Sequence, residues 1–420
     1  MSAQTSASHP FPAAAAVRGM TLLRILGIPD RSSCLMFKQS LLLAAAATAL
    51  TINPALALSA PPSVPPPTRI SELAGDAMRQ TGAKGLAVAV IDHGRVASVQ
   101  AFGARNAKGD PLTLQTVMYG ASLTKTLFGY YVLQLVDEGK VDLDRPIADV
   151  LAKPLPSYGN LDSYGNWGDL AGDDRWRKIT PRMVLTHSTG FANFAFFEPD
   201  KKLRIHFEPG SRFAYSGEGI ELLQFMLEEG LGLDTKRKLE HRIFQPLGMR
   251  STSLIWRPNF MQNLADGWTS EGSIEPHDER GTVRAAGSMD TTISDLSKFV
   301  AAMSRGWRLS SHMRRELAKP QLTITTSQQF PSLIDEVPLE RRIPGLAAGL
   351  GVVVFDGPQG RGFFKGGHND STGNTLVCIE RGQRCVLILS NDVRAERAFP
   401  KLVREILGET GIPYGWEYGS

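Results

Sequence analysis

Strand-forming sequence occurs near the two ends of this chain's body and almost nowhere between them. GLAVAVI (85–91) and RVASVQAFG (95–103) are apolar, β-branched runs joined by Asp92-His93-Gly94, the pattern of an antiparallel hairpin. The next comparable runs are GLGVVVFD, GRGFFKGG, GNTLVCIE and RCVLILSND, all within 349–392. An isolated hairpin is marginal in water and needs further strands and a packed face. The two sets therefore belong in one sheet, assembled from both ends of the chain. The expected fold class is α/β, of the α+β type: an antiparallel β-sheet flanked by N- and C-terminal helices, with a mostly helical inserted domain.

The helices follow from periodicity. Thr68 is placed to cap a helix running to about Thr81, with Ile70, Leu73, Ala74 and Ala77 on one face. A second helix begins near Ser122 and ends near Gly139, with Leu127, Tyr131, Leu135 and Val136 as its apolar positions. From Pro146 to Ala285 helical segments alternate with Gly/Pro/aromatic loops such as LPSYGNLDSYGNWGDLAGDD. Ser294–Met303 and Val393–Leu407 read as the last two helices. The expected domains are 68–145 plus 286–410 as a sheet-containing half and 146–285 as a helical half, with the active site between them.

Upstream of this body, Met36-Phe37-Lys38 leads into LLLAAAATAL and the small-x-small exit Ala55-Leu56-Ala57, the build of a secretory signal peptide. The run is Ala-rich, broken by Asn53-Pro54 and short for a membrane span. Residues 1–57 are read as the export signal region, with Met36 a candidate start, and 58–67 as a Pro-rich linker. Removing 1–57 takes four of the 46 basic residues and one of the 42 acidic ones, leaving 42 and 41. That near-neutral balance carries no nucleic-acid footprint. No stable membrane anchor is expected after signal cleavage, and the expected location is periplasmic or secreted. No His/Cys cluster and no His-Glu-x-x-His appears, so neither a metal nor a cofactor is expected. Of three cysteines, Cys34 leaves with the signal. Cys378 and Cys385 face each other about an Arg381-Gly382 turn, as a disulfide or as two free thiols.

The chemistry starts in YGASLTKTL (119–127). A serine hydroxyl needs an adjacent base to act as a nucleophile. A helix start offers free N–H groups and the positive end of the dipole, and it projects positions i and i+3 to one side. Lys125 can therefore reach Ser122. Alone the pair is weak, since about one Ser-x-x-Lys is expected by chance at this length. Order and context strengthen it. MYGASLTKTLFGYYVLQLVDEGKVDLDRPIADVL, ITPRMVLTHSTGF, FEPGSRFAYSGEGIELLQ, FQPLGMRST, AAGSMDTTISDLSKFVAAM and the late Lys365-Gly366-Gly367 follow one another as in a known group. Across about 70–395 the chain resembles the serine β-lactamase-like and penicillin-binding-protein family, which includes class C β-lactamases, D,D-carboxypeptidases and related esterases.

The resemblance implies roles. Ser122 would be the nucleophile, with Lys125 and Tyr215 sharing the proton transfers. Lys365, Gly366 and Gly367 would form the substrate-side strand, and the backbone N–H groups of Ser122 and His368 the oxyanion hole. His187, in LTHSTG, is read as structural. Two positions depart from the family pattern: Gly217 stands for the asparagine of Tyr-x-Asn, and Gly366 for the threonine of Lys-Thr-Gly. Both weaken recognition of β-lactams and D,D-peptides, and restoring the asparagine (Gly217→Asn) is expected to favour amide substrates. The implied function is an exported serine hydrolase acting on small-molecule esters or amides through a seryl acyl-enzyme. The alternatives are a class C-type β-lactamase or D,D-carboxypeptidase, and a slow-acylating, penicillin-recognising sensor or scaffold.

Overall fold

The hairpin at the start of the body is closed by a two-residue turn. His93 and Gly94 both take left-handed backbone, at φ 47° and 69°, and Asp92 pairs with Arg95. Two positive-φ residues match the right-handed twist of the flanking strands. This hairpin belongs to a computed structural model that describes residues 63–419. The export-signal and Met36 readings and the first linker residues lie outside the described residues.

Helix α1 (Pro67–Thr81) precedes strands β1 (Gly85–Asp92) and β2 (Arg95–Gly103). Its cap lies two residues earlier than expected. Pro66 occupies the capping position without a side-chain bond and Pro67 opens the first turn, so Thr68 is not the cap. A proline suits that place because the first helical N–H has no intrahelical partner. Ile70, Leu73, Ala74 and Ala77 are the buried face, as the periodicity predicts. Helices α2 (Leu123–Asp137), α3 (Gly217–Phe225) and α4 (Ile293–Ser304) follow. Between α2 and α4 lie mainly short helical turns, with brief two-residue strand pairs at 160–161/165–166 and 267–268/274–275.

The later strands are β3 (Leu322–Thr323), β4 (Ala347–Ala348), β5 (Val353–Gly357), β6 (Gly360–His368), β7 (Gly373–Ile379) and β8 (Arg384–Ser390). Helices α5 (Phe399–Leu407) and α6 (Tyr414–Tyr418) complete the chain. The sheet runs β2-β1-β8-β7-β6-β5-β4-β3, antiparallel throughout. The N-terminal hairpin thus adds to the last strand, with Leu86 opposite Ser390 and Ile91 opposite Cys385.

Both faces of this sheet are covered, which is why β1 is apolar at consecutive positions. Leu86, Val88 and Val90 pack into the core that contains α1 and α5, while Ala87, Ala89 and Ile91 pack with α2 and α4. Helix α2 is buried continuously from Leu123 to Leu135, all round its circumference rather than along one stripe. A helix of that kind lies inside the protein. In the β7–β8 hairpin Cys378 lies opposite Cys385, with Cα atoms 4.1 Å apart and the sulfurs bonded.

Leu387, on β8, is fully buried in the α2-side core. Leu387→Ala is expected to cost about 2–5 kcal/mol of unfolding free energy. Val96, 40 % exposed on the edge strand β2, is the control: Val96→Thr should stay within about 0.5 kcal/mol. Urea unfolding of both variants tests this layering.

Candidate active site

The turn that delivers Ser122 is held from several sides. Tyr119 pairs with Asp290, Gly120 N–H donates to the Met289 carbonyl at 2.8 Å, and Thr124 Oγ1 donates to the Ala121 carbonyl at 2.6 Å. Ala121 itself has φ 46°, a left-handed conformation that costs an L-residue about 1–2 kcal/mol and persists because its surroundings enforce it. Ser122 then occupies the cap of α2 and keeps partial exposure, whereas Ala121 and Leu123 on either side are buried.

One helical turn on, Lys125 is 1 % exposed. Its Nζ donates to Ser122 Oγ at 3.2 Å and to the Ala286 carbonyl at 2.5 Å. Burial disfavours its charged form and pulls its pKa below the usual lysine value; a neighbouring Tyr215 phenolate opposes this, and Lys365 adds to it. Ala286 is fixed in turn by α3, because its N–H donates to Glu221 at 3.1 Å. Glu221 is fully buried, and that burial raises its carboxyl to about 8.

Tyr215 precedes α3, whose cap is Ser216 accepting from the Gly219 N–H. The Nζ atoms of Lys125 and Lys365 lie 5.0 and 4.8 Å from its ring centroid. Its hydroxyl is buried, with no hydrogen bond of ordinary geometry among the described residues, but within electrostatic reach of both lysines. Burial alone would raise the phenol. The charges of Lys125 and Lys365, helped by the nearness of Ser122 and Lys125, outweigh it and bring the pKa down to about 8. Behind the ring, at 4.4 Å between centroids, sits His187, at φ 53° in the turn after the short helix Pro181–Leu185. Its Nδ1 accepts the Ser216 N–H at 3.2 Å, and burial and both lysines keep its pKa well below 6.5. It is a neutral imidazole that supports Tyr215.

Strand β6 brings Lys365, whose Nζ also donates to the Gly366 carbonyl at 2.8 Å. Gly367 lies on the start of α2: a Cβ there would stand 2.9 Å from the Gly120 carbonyl oxygen and 3.0 Å from the Leu123 nitrogen. Only glycine allows that approach. The structure thus gathers Ser122, Lys125, Tyr215 and Lys365 into one cluster, with Gly367 and the following His368 along its edge.

Two neighbours had no sequence signal. A Cβ at Gly217 would run into the ring of Phe194, and one at Gly366 into the carboxylate of Glu417. Glu417 is 2 % exposed, and neither of its oxygens finds a donor among the described residues. The two glycines therefore do not leave empty space. An asparagine at 217 would have to displace Phe194, which is stacked on Phe196 with centroids 5.1 Å apart, so the expectation that Gly217→Asn simply restores an amide contact is corrected. Phe194 lies in FANFAFF, which gives no hint of the contact, and Glu417 lies beyond the stretch that carried the resemblance.

Comparison with known proteins places these features in context. The family model described as Beta-lactamase matches residues 70–408. The monacolin J acid methylbutanoyltransferase of Aspergillus terreus is 28% identical over 202 residues, 41% of this chain and 48% of that protein. The lovastatin esterase of Penicillium rubens is 26% identical over 180 residues, 37% of this chain and 44% of that protein. The chain thus spans about half the length of these relatives. The crystal structure of D-alanine carboxypeptidase AmpC from Burkholderia cenocepacia has the same fold, with a TM-score of 0.62 at 17% identity over 80% of this chain and 98% of that one. Among the described residues no helix is long and apolar enough to cross a membrane.

The Phe194 contact is testable on its own. Gly217→Asn should destabilise the protein by about 1–3 kcal/mol, as overpacking does. Adding Phe194→Ala should remove most of that extra cost. A double-mutant cycle read by urea unfolding should show coupling of the compensating sign; simple additivity would mean that the ring does not hold the space over Gly217.

Proposed function

The chain belongs to the β-lactamase family, and from that premise we propose that it is an exported serine hydrolase cleaving small-molecule esters or amides, with uncharged esters the better substrates. The observation that carries this reading is Tyr215 between two lysines, its pKa drawn down to about 8, with Lys125 3.2 Å from the Ser122 hydroxyl.

In this mechanism the Tyr215 phenolate, held by Lys125 and Lys365, accepts the Ser122 proton as Oγ attacks the acyl carbon. The N–H groups of Ser122 and His368 receive the oxyanion, the first backed by the start of α2. Tyr215 then gives its proton to the leaving oxygen or nitrogen, and the C–O or C–N bond breaks to leave acyl-Ser122. A water transfers its proton to Tyr215 and attacks the acyl carbon; Ser122 recovers its proton as the acid departs. Lys125 supplies charge throughout and is itself anchored by the Ala286 carbonyl.

Preference for uncharged esters is supported by Gly366, which offers no hydroxyl to hold a substrate carboxylate and whose side-chain space is already filled by Glu417. Phe194 over Gly217 puts an aromatic ring where an amide-binding side chain would stand. The names of the two relatives, a methylbutanoyltransferase and an esterase, accord with acyl transfer to and from oxygen. Export is supported by the 36–57 pattern and by the bonded Cys378–Cys385 pair, since disulfides persist in oxidising compartments.

Two outcomes test the mechanism. Ser122→Ala should abolish turnover of a p-nitrophenyl ester and the acyl adduct seen by intact mass, with the far-UV circular dichroism unchanged. An adduct forming at the wild-type rate would remove Ser122 as nucleophile. For the wild type, kcat/KM on an uncharged ester should rise about tenfold per pH unit and level off near 8, because only the ionised phenol accepts a proton. Tyr215→Phe should lose about 10²–10⁴-fold and the rising limb with it.

A further inference from the structure

His368 carries a side chain that the proposed chemistry leaves unused. Its Nδ1 lies 3.0 Å from Glu396 Oε1, and the two side chains are only 24 % and 13 % exposed. The pair is built into the sheet. His368 stands opposite Gly373 in the β6–β7 register, and a Cβ at Gly373 would come within 2.7 Å of Glu396 Cγ. Glycine at 373 is what lets Glu396 cross the strand and reach the imidazole. Glu396 thereby orients the ring and selects Nδ1 as the nitrogen that donates inward.

The other nitrogen, Nε2, has no hydrogen bond among the described residues, and His368 is one of the residues lining a cleft of about 590 Å³. The cleft's wall is apolar along Phe197, Phe330, Pro331 and Leu333 and also carries the carboxyl groups of Glu198 and Asp370. Phe330 links it to the chemistry: its ring lies 5.2 Å from that of Tyr215 and 5.7 Å from the imidazole of His368. An ester whose carbonyl oxygen sits at the His368 N–H has one of its two arms beside this wall.

We propose that the His368–Glu396 pair is a substrate-binding device: Nε2 donates a hydrogen bond to an acceptor oxygen on an otherwise apolar arm of the ester, seated in the cleft walled by Phe330. The preferred substrate is then an ester carrying a carbonyl or ether oxygen a few bonds from the scissile link. This rests on the serine hydrolase reading. It also separates the two roles of one residue, since the backbone N–H serves the oxyanion whatever the side chain, while the imidazole serves specificity.

Matched esters test it on either arm. On the acyl side p-nitrophenyl pentanoate is compared with p-nitrophenyl 4-oxopentanoate, and on the alcohol side butyl acetate with 2-methoxyethyl acetate. The wild type should prefer the oxygen-bearing member of one pair, in KM more than in kcat. His368→Leu should reduce that preference about tenfold, the scale of one hydrogen bond to a charged or polarised donor. His368→Gln, which keeps an N–H, should restore part of it, and Glu396→Gln should weaken it less than His368→Leu does. If the wild type shows no preference in either pair, or both members change by one factor in each variant, the subsite is wrong while the hydrolase reading stands. If no ester acylates Ser122 in the intact-mass assay, both fall together.

Discussion

A lysine ammonium inside the protein is the constraint on which this structure turns. Moving a charge out of water is affordable only where other charges and dipoles replace the water. Lys125 sits at 1 % exposure on a helix buried on all sides. Its replacements are the Ala286 carbonyl, the Ser122 hydroxyl and the phenol of Tyr215. Each comes from a different stretch of chain, and each is itself held. Ala286 is fixed through Glu221, Ser122 through the Ala121 turn, and Tyr215 against His187 and beneath Lys365. The buried cation is the point on which these separately held groups converge.

The sheet makes that convergence possible. Because β1 pairs with β8, residues near 86 and near 390 are neighbours, and α2 is enclosed between the sheet and the segments that follow it. Strand β6 then runs across the start of α2, where Gly367 permits backbone-to-backbone approach. Lys365, two residues earlier on the same strand, faces the same side as Gly367 by the two-residue period of a strand. The spacing Lys-x-Gly is therefore geometric: one residue supplies charge to Tyr215 and the other lets the strand come close enough to do so.

Much of this was legible in the sequence, for identifiable reasons. The strands of 353–390 are short apolar runs bounded by glycine turns, and the hairpin at His93-Gly94 announces itself in composition. Ser122, Lys125 and Tyr215 were legible through the order of the stretches around them. What escaped involves pairs far apart in the chain whose meeting no local pattern encodes. Phe194 covers Gly217, Glu417 covers Gly366, and Glu396 reaches His368 past Gly373. In each case the sequence displays a glycine and withholds the side chain that fills its space. The cap of α1 was misplaced for a more local reason: Pro66-Pro67 starts the helix by fixing backbone geometry, so the threonine after it is already inside the first turn.

The charges around Ser122 also account for why a phenol works here. At rest the ionised site holds two ammonium groups against one phenolate, an excess of one positive charge. His187 adds nothing, since burial and the lysines keep it neutral. Nor does Glu221 cancel the excess near neutral pH, because its carboxyl is raised to about 8. When Ser122 gives its proton to the phenolate, the negative charge passes to the forming oxyanion a few ångströms away, and the excess positive charge is still in place to meet it. Preorganised charge of this kind acts strongly because it needs no rearrangement at the moment of reaction. A phenol set near 8 gives up its proton to a leaving group and takes another from water with little cost in either direction. The two lysines serve that balance by setting the phenol and then receiving the charge that leaves it.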